Sequence, residues 1–559
     1  AGVIVGIVAL PLSMALAIAT GLPPMMGLFT AIFAGGTIAL LGGSQHQVSG
    51  PTAAFIVVLV PIIGQFGVNG LMVAGLLAGA LLILMGLCGF GAMIRFIPYP
   101  VTSGFTAGIA VSIATTQVHG FFGLTLPAGT QLARLDYTER VAVLAESMST
   151  MNLHVLAIGA LTLAVLILWP RYASRRLPAP LPALVISTLG ALALRRWADW
   201  HDVPVLGERF SIRGTLAFAW PGTFDPRPFM TPEAIADAHA EYFAPFAWTW
   251  TNVRALLPAA FSIAMLGAIE SLLSAVVADG LADTRHRSNT ELIGQGVGNL
   301  VSPFFGGFAA TGAIARTATN VRNGGRSPLA ALVHALTVLA FVALAAPLAE
   351  AIPLSALAAV LLIVCWNMAE VRHFIGLLRA PRSDVLVLLT CLLLTVLVDM
   401  VWAVAVGVVL ASLLFMRRMA ELSEVRPGHE DDDADANGQA LADLPVPPGV
   451  TVYSIDGPFC FGATDKAVAT LGDVEGGVRV VVLRMRRVPA IDATGLHALR
   501  KARDLLARRG VRLVLSAVQP QPLRALQRSG LAAELGEENI HADVLTALDR
   551  ARTLTAGPH

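Results

Sequence analysis

Apolar residues dominate the first part of this chain, in long stretches separated by short polar, glycine-rich or proline-rich turns. A helix that crosses a bilayer needs about 20 mostly apolar residues, and several stretches reach that length. We therefore predict an α-helical polytopic membrane domain over residues 1–416, with fourteen transmembrane segments. The predicted segments are residues 1–19, 26–41, 51–64, 70–88, 98–118, 152–169, 181–195, 255–278, 290–304, 311–321, 327–348, 353–368, 384–399 and 401–416.

Two predicted segments, 51–64 and 311–321, are too short to cross a bilayer and are flanked by glycine and proline. They are the third and the tenth of the fourteen, so they take the same place in two sets of seven. Short, interrupted segments at matching positions of two halves indicate the binding site of a transporter. We predict two half-helices that meet near the middle of the membrane; two ordinary helices with different bounds are the alternative.

Beyond residue 416 the pattern becomes that of a soluble domain. An acidic run at 430–435 predicts a solvated linker over residues 417–445. Residues 446–556 alternate short apolar runs with an amphipathic pattern, which indicates a small α/β domain. The predicted elements are strands at 450–455, 478–483 and 511–517 and a helix at 493–509.

The composition is typical of a membrane protein, and the motifs that are missing argue against several classes of function. Of 559 residues, 55% are hydrophobic and only 13% are charged, whereas soluble domains carry about 25% charged residues. The net charge of +1 gives no reason to expect a nucleic-acid partner, and the four cysteines lack the spacing of a metal site or a disulfide framework. No phosphate-binding loop or dinucleotide fingerprint is present, so we expect neither an enzyme nor a cofactor. The chain starts without Met inside an apolar stretch, and we expect its natural N-terminus to be missing.

Arginine positions predict the orientation of the segments. Arginines lie in the loops that follow even-numbered segments, whereas the short loops 20–25, 65–69, 305–310 and 349–352 contain no Lys or Arg. Because cytoplasmic loops are rich in basic residues, we expect a bacterial inner-membrane protein whose arginine-rich loops and C-terminal domain lie in the cytoplasm. The arginines are Arg95, Arg171, Arg175, Arg176, Arg285, Arg287, Arg322, Arg326, Arg372, Arg379, Arg382, Arg417 and Arg418.

The first short segment has the features of a helix start inside the membrane. Pro51 is expected at the first helical position, where its missing N–H would be unpaired in any case. The backbone N–H groups of Thr52, Ala53 and Ala54 would then form a partly positive site for an anion.

The second short segment also has the features of a helix start inside the membrane. A glycine pair breaks the chain before it, and we expect Thr311 or Gly312 to begin a half-helix that continues through Ala313. Two half-helices whose N-termini face each other can hold an anion without a metal ion. Arg316 follows within this half-helix, where it either adds positive potential to the anion site or anchors the cytoplasmic end of the helix.

A carboxylate lies within the otherwise apolar segment 255–278. Gly267, Glu270 and Ser274 share one helical face at positions i, i+3 and i+7. A carboxylate that is removed from water binds a proton more readily, so Glu270 can carry H⁺, and with Ser274 it can equally bind Na⁺ as the coupling ion. The alternative is a structural role, in which the buried Glu270 accepts hydrogen bonds from a neighbouring helix.

Three stretches together resemble the SulP anion transporter family, the solute carrier 26 group of animals. They are LPLSMALAIATGLPPMMGLF at 10–29, GGSQHQVSGP at 42–51 and GGRSP at 324–328, and the likeness covers nearly all of the chain. The stretches AAFSIAMLGAIESLL at 259–273 and WNM at 366–368 look closest to the DauA type of bacterial member, which moves four-carbon dicarboxylates.

The resemblance implies two inverted repeats of seven segments that form UraA-like core and gate domains. It also implies a homodimer, a substrate held between the half-helices, and a core that moves against the gate as an elevator. The C-terminal part resembles a STAS domain, in which Asp492 and Thr494 match the motif Asp-x-Ser/Thr-Gly. The hydroxyl of that motif is phosphorylated in soluble anti-sigma-factor antagonists, so Thr494 is a candidate regulatory site, although we expect it to cap the helix that starts there.

The leading hypothesis is a secondary active anion transporter in the lipid bilayer. We expect H⁺-coupled uptake of four-carbon dicarboxylates such as succinate, fumarate or aspartate. Sulfate or bicarbonate transport, with Na⁺ as the coupling ion, stays open, as does an anion channel. A third class is a membrane-bound regulator whose STAS domain binds a cytoplasmic protein partner.

Overall fold

The computed structural model describes residues 1–92, 97–127, 132, 135–172, 178–198, 200–212, 218–398, 400–427, 445–460, 468–471, 474 and 476–556. It divides into two compact units, Ala1–Val408 and Val409–His559. Predictions that concern Arg95, Arg175, Arg176 and the acidic run at 430–435 lie outside the described residues.

Helices build the first unit, and every apolar stretch predicted from the sequence contains helix. The stretches 51–64 and 70–88 belong to one interrupted helix, and the count of fourteen transmembrane segments stays a prediction. Seven helices of the described chain are long and apolar enough to cross a membrane. In chain order the helices are α1 (Gly2–Ala19), α2 (Pro24–Leu41), α3 (Ala54–Leu87), α4 (Tyr99–Phe122), α5 (Tyr137–Ser147), α6 (Leu153–Tyr172), α7 (Pro180–Trp197), α8 (Trp250–Ala282), α9 (Ser288–Val301), α10 (Ile314–Arg322), α11 (Pro328–Leu344), α12 (Leu354–Met368), α13 (Arg382–Leu397) and α14 (Met400–Leu422). Shorter helices lie at Pro232–Asp237, Ala240–Phe243, Ala346–Ala349 and Val371–Leu377.

The two predicted half-helices are present. Gly67 interrupts α3 with φ 66° and ψ −173°, a conformation essentially limited to glycine. The part of α3 before Gly67 is the first half-helix, and α10, with nine residues, is the second. A two-residue strand precedes each of them, β1 (Ser49–Gly50) before α3 and β2 (Thr311–Gly312) before α10. The prediction of short, interrupted helices at these places is therefore confirmed.

Packing divides the helices of the first unit into two groups. In one group α3 packs on α8 and α9, α10 packs on α8, and α1 packs on α11. In the other group α4 packs on α12 and α13, and α6 packs on α7 and α12. Glycine permits the close approach of α3 and α9, because a Cβ on Gly79 would lie 2.7 Å from the carbonyl oxygen of Gly296. Both half-helices belong to the first group, which we call the core group; the second is the gate group.

The second unit is an α/β domain, as the sequence predicts. Its sheet has the order β3 (Glu424–Pro427), β4 (Val450–Asp456), β5 (Val480–Arg487), β6 (Arg512–Ser516) and β7 (Ile540–His541). Strands β4 to β7 are parallel, and β3 runs antiparallel to β4. Apolar side chains of α15 (Ala493–Arg508) and α16 (Pro520–Arg528) cover one face, and those of α17 (Val544–Ala556) cover the other. Both faces of the parallel sheet are thus protected from water.

Two predicted boundaries are wrong. The linker was expected from residue 417, but α14 continues to Leu422, and residues 424–427 form β3 through backbone pairing with β4. The strand expected at 478–483 begins at Val480 and continues to Arg487. Strand β5 has paired neighbours on both sides, so backbone hydrogen bonds extend it past the apolar run.

Candidate functional site

The two half-helices start beside each other because the strands that lead into them are paired. Ser49 lies opposite Gly312 and Gly50 opposite Thr311 in an antiparallel pair. The amide of Ala313 donates to the carbonyl oxygen of Val48 at 2.9 Å, which continues this pairing up to the start of α10. Since the first amides of a helix have no partner within the helix, two sets of N–H donors flank one buried strand pair.

The helices begin later than the sequence suggests. We expected Pro51 at the first helical position of α3, but the N-cap is Ala53 and the helix begins at Ala54. Likewise α10 begins at Ile314 rather than at Thr311 or Gly312. Before α10 the physical reason is the strand pairing, which keeps Gly312 and Ala313 extended. Before α3 the pairing ends at Gly50, and Ala53 already has helical backbone angles.

Arg316 joins the two half-helix starts. It is the third residue of α10, its side chain is only 2% exposed, and its Nη2 donates to the carbonyl oxygen of Pro51. The guanidinium lies against Gly50, where a Cβ would come within 2.6 Å of Nη1. The Nε and Nη1 atoms have no hydrogen-bond partner among the described residues. Arg316 thus lies beside both half-helix starts, and its contribution to an anion site stays a prediction.

Glu270 also lies at the α3 start. Its side chain, 8% exposed, accepts a 2.8 Å hydrogen bond from the Thr52 hydroxyl. Its charge interacts with that of Arg316, and the two described side chains form no ion pair within 4.0 Å. A carboxylate and a guanidinium therefore lie near the same helix start, and the guanidinium keeps unpaired donors.

One face of α8 supports both half-helices, as its spacing predicts. The Thr311 hydroxyl donates to the carbonyl oxygen of Gly267 at 2.8 Å. The Ser274 hydroxyl donates to that of Thr317 on α10 at 3.1 Å. Ser274 thus has a partner on α10, and a shared ion site of Ser274 with Glu270 stays a prediction.

Three polar residues on α9 lie next to the site and are not among the residues predicted from the sequence. Glu291, Gln295 and Asn299 are fully buried, and their hydrogen bonds reach the segments that lead into both half-helices. The signal in the sequence is their spacing, since residues four apart share one face of a helix. Three uncharged or acidic polar residues at that spacing in a predicted membrane segment indicate a buried polar contact.

In the second unit the cap of α15 is Asp492. Its carboxylate accepts a 2.8 Å hydrogen bond from the amide of Gly495. Thr494 is the second residue of the helix and is exposed, so the expected capping role of Thr494 is wrong. An N-cap side chain must precede the helix to reach its free amides, and Asp492 occupies that position. Modification of the exposed Thr494 hydroxyl stays a prediction.

Two sequence families match the chain. The sulfate permease family matches residues 1–391, and the STAS domain matches residues 442–547. YvdB of Bacillus subtilis (strain 168), provisionally named a sulfate transporter, is 35% identical over 98% of this chain and 96% of its own length. The bicarbonate transporter BicA of Picosynechococcus sp. is 32% identical over 90% of this chain and 85% of its own length.

Solved structures agree with the fold. The inward-facing murine Solute Carrier 26 family member A9 anion transporter matches with a TM-score of 0.80 and 18% identity, over 99% of this chain and 90% of that chain. At this identity the match shows the fold alone. The transmembrane domain of the cyanobacterial bicarbonate transporter BicA matches with a TM-score of 0.59 and 27% identity, over 74% of this chain and 95% of that chain.

Proposed function

Because this chain belongs to the sulfate permease family, we propose that it is a secondary active transporter that binds a small anion between the starts of α3 and α10. The observation that carries the proposal is the environment of Arg316. A buried guanidinium beside two helix N-termini, with Nε and Nη1 unpaired among the described residues, has positive charge and donors that its own surroundings do not satisfy. A bound anion would neutralise the positive charge and accept hydrogen bonds from these donors.

For the substrate we favour a small oxyanion such as sulfate or bicarbonate. The planar guanidinium fork suits two oxygens of one anion. The names of the relatives YvdB and BicA support this class. Four-carbon dicarboxylates are the second candidate, supported by the resemblance of residues 259–273.

We propose that the binding of a cation at Glu270 is coupled to the binding of the anion. A charged Glu270 beside the α3 start opposes the arrival of a second negative charge. A proton or Na⁺ on this carboxylate removes the repulsion, so cation and anion each raise the affinity for the other. H⁺ is the first candidate for this ion and Na⁺ the second.

Transport in this proposal follows an elevator mechanism in a homodimer. The site residues, from Thr52 to Arg316, lie on helices of the core group or in the segments that lead into them, so the core group can move against the gate group while the anion stays bound. The arginine positions support a bacterial inner membrane with the C-terminal domain in the cytoplasm.

The test is uptake of labelled sulfate, bicarbonate and succinate into proteoliposomes that contain the full chain. Each anion is tried with an inward H⁺ gradient, an inward Na⁺ gradient and no gradient. We expect saturable uptake of one small oxyanion that a cation gradient accelerates. Uptake of succinate alone would replace the substrate assignment, a steady single-channel current would replace the carrier, and the absence of all uptake would contradict the proposed function.

A Glu270→Gln variant tests the coupling. The amide is uncharged at every pH, so we expect uptake to persist while its dependence on the driving gradient is lost. Glu233→Gln is the matched control, because Glu233 is exposed outside the core helices. Unchanged gradient dependence in E270Q would assign the coupling to another group.

A further inference from the structure

Three buried polar residues follow one face of α9, and none of them belongs to the proposed anion site. Glu291, Gln295 and Asn299 are each 0% exposed. Burial of a polar side chain is unfavourable unless hydrogen bonds replace its contacts with water. The hydrogen-bond partners of these three residues therefore indicate the role of this helix face.

Glu291 holds the segment that leads into the first half-helix. Its Oε2 accepts from the amides of Gly43 and Ser44, at 2.8 and 3.1 Å. Its Oε1 accepts from the side chains of Gln47 and Ser271, at 2.8 and 3.1 Å. With donors at both oxygens, the carboxylate is satisfied without a bound cation.

Gln295 continues the same contact one turn further along α9. Its Nε2 lies 3.0 Å from Oε1 of Glu291 and 2.9 Å from the hydroxyl of Ser49. Ser49 is the first residue of β1, the strand that pairs with β2. The α9 face thus reaches from the loop at Gly43 to the strand beside the anion site.

Asn299 holds the segment that leads into the second half-helix. Its Oδ1 accepts from the amide of Ala310 at 2.7 Å, and its Nδ2 donates to the carbonyl oxygen of Ala310 at 2.9 Å. Ala310 directly precedes β2. One face of α9 therefore forms hydrogen bonds with both segments that lead into the half-helices. We call these two segments, residues 43–50 and 308–313, the leaders.

We propose that the face formed by Glu291, Gln295 and Asn299 positions the two half-helix starts relative to each other and so sets the affinity of the anion site. The inference rests on the proposed function. The two leaders meet through a strand pair of only two residues each, and so short a pair is not stable by itself. The hydrogen bonds from α9 supply the missing constraint, and the three residues are positioning residues that do not touch the anion.

Two nearly isosteric variants test the proposal. Glu291→Gln replaces one carboxylate oxygen by an NH2 group, which cannot accept the two or more hydrogen bonds that this oxygen receives. Asn299→Asp keeps the acceptor for the Ala310 amide but places an oxygen against the Ala310 carbonyl. The matched control is Asn289→Asp, since Asn289 lies on the same helix but accepts from the amide of Gly91, away from both leaders.

We expect KM for the transported anion to rise at least about tenfold in both variants, which corresponds to about 1.4 kcal/mol, while Vmax changes less. The amides of residues 43–50 in E291Q, and those of 308–313 in N299D, should exchange with deuterium faster than in the parent protein. The amides of α4 and α13 in the gate group should not change. N289D should leave both readouts unchanged.

Parent-like KM and exchange in folded E291Q and N299D would overturn the proposal, as would an equal rise of KM in N289D. Where E291Q does not accumulate, Gln295→Leu removes the donor to Ser49 with little change of volume and carries the same expectation. Absence of uptake in the parent protein counts against the proposed function instead. Hydrogen exchange needs no substrate, so it decides the positioning role in that case.

Discussion

At the scale of single residues, the surroundings of a charged side chain decide whether it can contribute to an anion site. Arg316 and Arg322 lie on the same helix, α10, and look alike in the sequence. Arg316 is almost fully buried against Gly50 and Pro51, whereas Arg322 is exposed in the last turn. Because the burial of a charge without a partner is unfavourable, only Arg316 has a strong electrostatic reason to bind an anion.

The pair Arg316→Lys and Arg322→Lys tests this difference. Lysine keeps the charge but lacks the planar fork, so it cannot donate to two oxygens of one anion as a guanidinium can. Loss of a hydrogen bond to a charged group costs about 1.5–3 kcal/mol, so KM for the anion should rise at least about tenfold in R316K. R322K should keep the parent KM, measured from the concentration dependence of uptake. Equal KM values in the two variants would show that Arg316 does not contribute to anion affinity.

At the scale of elements, the break in α3 depends on one residue. Gly67 has positive φ and separates the half-helix from the rest of α3. A Cβ there would also collide with the carbonyl oxygen of Glu241. The half-helix therefore ends where it does because the backbone adopts a conformation that other residues avoid.

Gly67→Ala should lower the thermal stability of the purified protein. Strain in this region of backbone conformation costs about 1–3 kcal/mol. Gly280→Ala is the control, because Gly280 lies in α8 with no atom within 4 Å of an added Cβ. That substitution should be neutral or stabilise by about 0.4–1 kcal/mol. A thermal unfolding scan of both variants checks the result, and a melting temperature of G67A at or above that of G280A would contradict it.

At the scale of the whole molecule, the proposed anion site and the α/β domain belong to different compact units. All the residues of the proposed anion site lie within Ala1–Val408. The second unit has its own apolar cores on both faces of its sheet. The proposed anion site thus includes no residue of the second unit.

A chain that ends after Leu422 should therefore keep the anion affinity of the full chain. We expect KM values within about twofold of each other, a difference of about 0.4 kcal/mol, whatever happens to the maximal rate. The measurement is uptake by the shortened and the full chain at equal amounts of inserted protein. A tenfold change of KM would mean that the soluble domain contributes to the site.

The sequence by itself determined the features that depend on local pattern. The helical segments, both half-helices and the α/β domain follow from the spacing and length of apolar runs. The face of α8 with Gly267, Glu270 and Ser274 follows from helical periodicity, and its contacts with both half-helices agree with it.

Only the tertiary structure decided which polar groups meet. Arg316 finds its carbonyl partner 265 residues earlier in the chain, and Glu291 finds Gly43 at a separation of 248. The same long-range pairing keeps Gly312 and Ala313 extended, so α10 begins only at Ile314. Periodicity describes each helix alone, whereas these contacts arise when separate helices exclude water and each buried polar group must find a partner.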